Sequence, residues 1–115
     1  MIELLKESRN IVENGWCKYA SAKDINGDNV RIGDSRADSH CVLGAMFQAA
    51  ENLNLTRDDV IECMQMFQRA NRIESVTNWN DGLDTTKIDV MNAFDNTIFI
   101  ASIHSLSDEP EPSLN

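Results

Sequence analysis

The chain has 115 residues, of which 42% are apolar, enough for one ordinary domain around one core. Its formal net charge of −9 sets up a field that repels phosphate backbones, which disfavours direct nucleic-acid binding and favours cations or a basic protein surface as partners. No apolar run approaches the roughly 18 residues of a membrane span, and the opening MIELLKESRN is amphipathic and carries acids, so neither a signal peptide nor an anchor is read.

The first helix is expected to run to about Asn14. Leu4, Leu5, Ser8, Ile11 and Val12 recur at helical spacing with charges between them, and Gly15 stands where a C′ residue would. Residues 21–32 change character, since Asn26-Gly27 suits a type I′ turn between two short β-forming runs, and a small hairpin is expected there. Residues 33–37 read as polar loop.

Asp38 is the expected N-cap of a second helix, with Val42, Ala45, Met46, Ala49 and Leu53 as its buried stripe and an end near Asn52 to Asn54. Gly44 inside it would cost about 1 kcal/mol relative to Ala, so its use is close approach of another backbone. Thr56 and Asp59 form a capping box for a third helix, with Leu55 and Val60 as its hydrophobic staple. The stripe Val60, Cys63, Met64, Phe67 and Ala70 puts Cys63 in the core, where a thiol acts as a small apolar group.

Residues 73–83 show no period and hold the polar cluster Thr77-Asn78-Trp79-Asn80-Asp81-Gly82. Asp84 is the expected cap of a fourth helix with Leu83 and Ile88 as its staple and Met91, Phe94, Ile98 and Ala101 as its stripe. The succession Ile98-Phe99-Ile100 suggests burial on more than one side. The expected architecture is mainly α, four helices with one small β-hairpin between the first two, over residues 1–104. An acidic, disordered tail is expected over 105–115, where two prolines and three acids leave little to bury.

The acids are unevenly placed: residues 1–50 carry a net −1, 51–100 a net −5 and 101–115 a net −3. The cysteines Cys17, Cys41 and Cys63 are odd in number and in no C-x-x-C pair, which suggests neither a disulfide framework nor a thiolate zinc site and fits a reducing cytoplasm. No metal or cofactor is expected. Asp24-Ile25-Asn26-Gly27-Asp28 opens like a calcium loop, but its glycine is misplaced and Ser35 falls where a bidentate Glu belongs. Nucleotide and hydrolase signatures are missing as well.

Cys41 is the candidate nucleophile, placed near the third position of the second helix, where free N–H groups and the helix dipole lower a thiol pKa. His40 or His104 could be its base, and Asn80 or Asp81 could orient that base. The competing reading buries the thiol as core filler, and nothing in the spacing forces His104 near it. Trp16 and Trp79 sit at element ends, where indole can either plug a helical bundle or anchor a partner with Asn80 and Asp81 beside it. On the third helix, Asp58, Asp59 and Glu62 are the candidates for an acidic binding face.

Trp16-Cys17, His40-Cys41-x-x-Gly44-Ala45, Trp79-Asn80-Asp81 and Phe94-Asp95, in that order, resemble a bacterial and phage family of small domains of unknown function. Its members carry W-x-x-x-A, a hairpin with D-x-x-G, a C-x-x-G-A helix start and W-N-D before the final helix, and the similarity spans roughly residues 2 to 102. The resemblance carries no activity. It implies that Trp16, Cys41, Gly44, Trp79, Asn80 and Asp81 belong to one shared feature.

The leading expectation is a non-enzymatic interaction or regulatory module of the cytoplasm, bacterial or of a phage-infected host, whose acidic second half meets a basic partner and which could inhibit a host protein. A small thiol-dependent hydrolase or transferase using Cys41 is the alternative. A mimic of the DNA backbone is disfavoured, because Arg57, Arg69 and Lys87 interrupt the acids.

Overall fold

The computed structural model describes residues 1–108. In chain order the elements are α1 (Ile2–Asn14), β1 (Ala22–Lys23), β2 (Asn29–Val30), β3 (Ser39–His40), α2 (Val42–Asn52), α3 (Arg57–Asn71), α4 (Val76–Asn80) and α5 (Lys87–Asp108). The architecture is mainly α, as the sequence predicts, with the four long helices joined by one short one and by a three-stranded antiparallel sheet of order β2-β1-β3.

Helix α1 lies against both α2 and α5, and α3 closes the other side against the same two helices. Leu4, Leu5 and Val12 from α1 meet Val42, Ala45, Met46 and Ala49 from α2, Val60, Cys63 and Phe67 from α3, and Val90, Phe94 and Ala101 from α5. Phe67 is central. Its ring meets Phe94 edge-on at 4.9 Å and Trp79 at 5.9 Å, the geometry that aromatic quadrupoles prefer. Buried hydroxyls are satisfied locally: Ser8 Oγ donates to Leu4 O and Thr97 Oγ1 to Ala93 O, each at 2.7 Å.

The Thr56–Asp59 capping box is present, with Asp59 N donating to Thr56 Oγ1 at 3.2 Å and Thr56 N donating to Asp59 Oδ2 at 2.8 Å. Gly44 faces Ser21 O, which would stand 2.1 Å from an added Cβ, so close backbone approach does dictate glycine there.

Several local expectations are corrected. Asp38 does not cap α2. Its N–H donates to Lys23 O at 2.7 Å, extending the β1–β3 pairing, and the cap passes to Cys41, whose Sγ accepts from Gly44 N at 3.2 Å. Gly15 is extended at φ 174 rather than left-handed, and an added Cβ there would lie 2.2 Å from Asp38 O, so crowding explains it. The hairpin forms with a different turn. Only Gly27 has a positive φ, 85, and Asp24 Oδ1 organises the loop by accepting from Asn26 N and Asp28 N at 2.9 Å each.

At the fourth long helix, Thr86 rather than Asp84 caps. Thr86 N donates to Asp89 Oδ2 at 2.9 Å and Asp89 N to Thr86 Oγ1 at 3.2 Å, so the residue before the cap is Thr85 and no Leu83–Ile88 staple forms. Leu83 and Ile88 are both exposed. The buried stripe of α5 is Val90, Ala93, Phe94, Thr97 and Ala101, and Phe99, five residues and about 140° beyond Phe94, points outward. The helix continues through Asp108, four residues past the expected domain end, and residues 109–115 of the expected tail lie outside the described residues.

Candidate functional site

Where the chain leaves α1 it runs beside β3. His40 N donates to Gly15 O at 3.0 Å and Cys17 N donates to His40 O at 3.1 Å, giving one parallel bridge between Trp16 and His40. In a continuing parallel ladder the next bond would join Val42 N to Cys17 O. Asn80 stands in that gap: its Oδ1 accepts from Val42 N at 3.0 Å and its Nδ2 donates to Cys17 O at 3.1 Å. A carboxamide carries the donor and acceptor of a peptide group in one plane, so it substitutes for backbone where the two segments part.

The same oxygen accepts Trp16 Nε1 at 2.7 Å, and the same nitrogen donates to Asp81 Oδ1 at 3.0 Å. Asn80 is 1% exposed with its two donors and two acceptor positions all used, which removes the cost of burying it. Short helix α4 delivers it. Ser75 Oγ accepts from Asn78 N at 3.3 Å to start that helix, and Thr85 Oγ1 holds Trp79 O at 2.6 Å beyond its end.

Asp81 Oδ1 also accepts from Tyr19 N at 2.9 Å. Tyr19 has φ 69, a left-handed backbone that costs a non-glycine residue roughly 1–2 kcal/mol, and 65% of its surface is exposed. Lys18 lies over the Trp16 ring at 5.5 Å from its centroid and donates through Nζ to Gly82 O, clipping the 16–20 segment to the turn after α4. Between them opens a cleft of about 230 Å³, lined by Tyr19, Ala20, Ser21, Cys41, Leu43, Thr77, Asn80 and Asp81.

The structure thus brings Cys41, Asn80 and Asp81 to one cleft, with Trp16 bonded beneath it and Trp79 packed on Phe67. It does not bring an imidazole. His40 is buried, its Nε2 has no hydrogen-bond partner among the described residues, burial pushes its pKa down, and it does not line the cleft. His104 lies toward the far end of α5, beside Met66, Arg69, Arg72 and Ile100. Cys41 is the N-cap of α2 rather than its third residue. Burial pushes its thiol above the ordinary range, and the Gly44 N–H opposes that only in part. Among the described residues, then, the cleft has a thiol, a carboxamide and a carboxylate but no imidazole to take the thiol proton.

The α3 acids stand apart. Asp58 and Glu62 are exposed, whereas the Asp59 carboxylate is engaged by the backbone and side chain of Thr56, which hold its pKa low. The exposed strip of α3 runs Asp58, Glu62, Gln65, Arg69, with Arg72 as the C-cap beyond it, and the acids in the first turn and Arg69 in the last complement the helix dipole. Among the described residues no group of three or more His, Cys, Asp or Glu is placed to hold a metal, and no helix is long and apolar enough to cross a membrane.

Tyr19, Lys18, Leu43 and Thr77 were not singled out by sequence reasoning. The one signal for Tyr19 is its place inside the Trp16-x-x-x-Ala20 run, and a left-handed backbone at tyrosine has no sequence signature.

No curated protein and no solved structure matches the chain. The family model described as "Family of unknown function (DUF6197)" matches residues 1–99, and with them the whole of the hub around Asn80. The chain therefore belongs to DUF6197, a family of unknown function.

Proposed function

We propose that the chain is a non-enzymatic interaction module that engages a basic segment of another protein at the cleft lined by Tyr19 and Asp81, together with Leu83 two residues beyond Asp81. The observation that carries this reading is the exposed, left-handed Tyr19, bonded through its backbone to Asp81. Strain of this kind persists only where surrounding bonds over-determine it, and here the hub's bonds present an aromatic side chain to solvent rather than bury it.

Leu83 is 93% exposed and follows Gly82, whose carbonyl Lys18 holds, so an aromatic and an aliphatic side chain project from two clipped segments. Asp81 Oδ2 has no partner among the described residues, and Asp84 is exposed next to Leu83. Apolar anchors fringed by carboxylates suit a partner that offers an apolar side chain flanked by Lys or Arg. The thiol-enzyme reading is weaker, because Cys41 is buried, bonded to Gly44 N and raised in pKa, with no imidazole in its cleft.

The test is selection of random peptides against the full chain, followed by NMR titration of the enriched sequences. Selected peptides are expected to be basic, to shift the Tyr19, Asp81 and Leu83 resonances, and to weaken steeply between low and physiological salt. Tyr19→Ala should reduce affinity at least tenfold. Shifts centred on Asp58 and Glu62, or binding indifferent to Tyr19→Ala, would reject this cleft as the interface.

A further inference from the structure

We infer that Cys17 and Cys41 form a reversible intramolecular disulfide, a redox-modification site next to the Asn80 carboxamide. The argument starts from the Trp16–His40 bridge, which holds the two backbones at ladder spacing, about 4.8 Å. The bridge is parallel, so the next residue on each side, Cys17 and Cys41, follows in the same direction. Alternation along extended chain turns both side chains to the face opposite Trp16 and His40.

The segments separate only at the following step, between Cys17 O and Val42 N, where Asn80 enters. One step past the bridge and just before the split, that ladder spacing would place the two Cα atoms within the roughly 4.4–6.8 Å that a disulfide spans. Each thiol also answers to the same surroundings. Asp81 acts on both, and a charge on Cys17 pushes Cys41 further up, in keeping with the two thiols sharing one neighbourhood. Cys63 is excluded from the pair by its place in the α3 core, where burial pushes its thiol up to about 12.

Oxidised glutathione, a low-molecular-weight disulfide, suffices as oxidant. Cys17 is only half-buried, so its thiolate attacks one glutathione sulfur, forming a mixed disulfide and releasing one glutathione thiolate. The Cys41 thiolate then attacks the Cys17 sulfur, closing the Cys17–Cys41 bond and expelling the second glutathione thiolate. The two protein thiol protons end on the two glutathione thiols. Raised thiol pKa values make the exchange slow at neutral pH without changing its equilibrium. The inference does not depend on the partner reading above, although Cys41 lines the same cleft.

The full chain would be equilibrated across a series of reduced-to-oxidised glutathione ratios, acid-quenched, alkylated and mapped by peptide mass. The expected product loses two hydrogens, links the Cys17 and Cys41 peptides, and leaves Cys63 fully alkylated. Cys41→Ser retains a hydroxyl for the N-cap and should fold, but with no resolving thiol it should accumulate the glutathione adduct on Cys17. A persistent adduct on Cys17 in the unaltered chain, a link through Cys63 or between two chains, or free thiols at every ratio would each overturn the inference.

Discussion

Asn80 is joined to Trp16, Cys17, Val42 and Asp81 by four hydrogen bonds, and its chemistry is testable by one atom. Asn80→Asp keeps the shape but replaces the donating nitrogen with an oxygen facing Cys17 O and the Asp81 carboxylate. The expected loss is about 3 kcal/mol at neutral pH, measured by urea unfolding, since it strands buried acceptors against one another. Part of that loss should return as pH falls, because the introduced carboxyl regains a donor when protonated, and a loss indifferent to pH would argue against the wedge. His40 supplies a second residue-scale expectation. Its folded pKa lies below the unfolded imidazole value, so the neutral ring's contribution is complete above about pH 6.5 and is lost as pH falls through the folded pKa. His40→Gln should flatten the stability profile across that window, read from urea midpoints at several pH values.

At the scale of elements, what was legible in the sequence is what depends on neighbours a few residues away. The Thr56–Asp59 box and the Val60, Cys63 and Phe67 stripe follow from local pattern, and Gly44 stands out because a glycine inside a helical stripe breaks that pattern, although the contact that requires it is tertiary. Strand β3 was not legible, because two residues become a strand only when β1 lies on one side and the exit of α1 on the other. That pairing also displaced the expected cap from Asp38 to Cys41, and sulfur is too weak an acceptor to announce itself as a cap. Helix α4 shows in the sequence only as a polar turn cluster without period for a similar reason: five residues held by a Ser75 cap are too few to display one. Gly44→Ala separates the local from the tertiary requirement. In an exposed helix the change would stabilise by about 1 kcal/mol, whereas contact with Ser21 O should make it destabilise by about 3 kcal/mol, checked by thermal unfolding.

For the whole molecule, the resemblance to a family implies that Trp16, Cys41, Gly44, Trp79, Asn80 and Asp81 belong to one shared feature; of these, Trp16, Asn80 and Asp81 are joined by hydrogen bonds and Cys41 lines the same cleft, whereas Trp79 packs on Phe67 and Gly44 against Ser21 O. The charge pattern was less informative. Many of the acids prove to be local fasteners: Asp24 in its turn, Asp59 and Asp89 in caps, Asp95 on Arg9 at 2.6 Å, and Asp81 in the hub. A count of charges cannot distinguish such carboxylates from ones left for a partner.

Val42 opens α2, and the first amides of a helix ordinarily have no partner within it and exchange with solvent quickly. Here that amide is locked by a side chain 38 residues away, which is itself tied to positions 63 and 64 residues earlier. Releasing its proton means dismantling a knot that reaches from the end of the first helix to the start of the last turn before α5. In deuterium oxide, Val42 should therefore exchange as slowly as core amides such as Met46, by whole-molecule opening rather than by fraying. Rapid exchange there would mean that the knot loosens on its own while the rest stays folded.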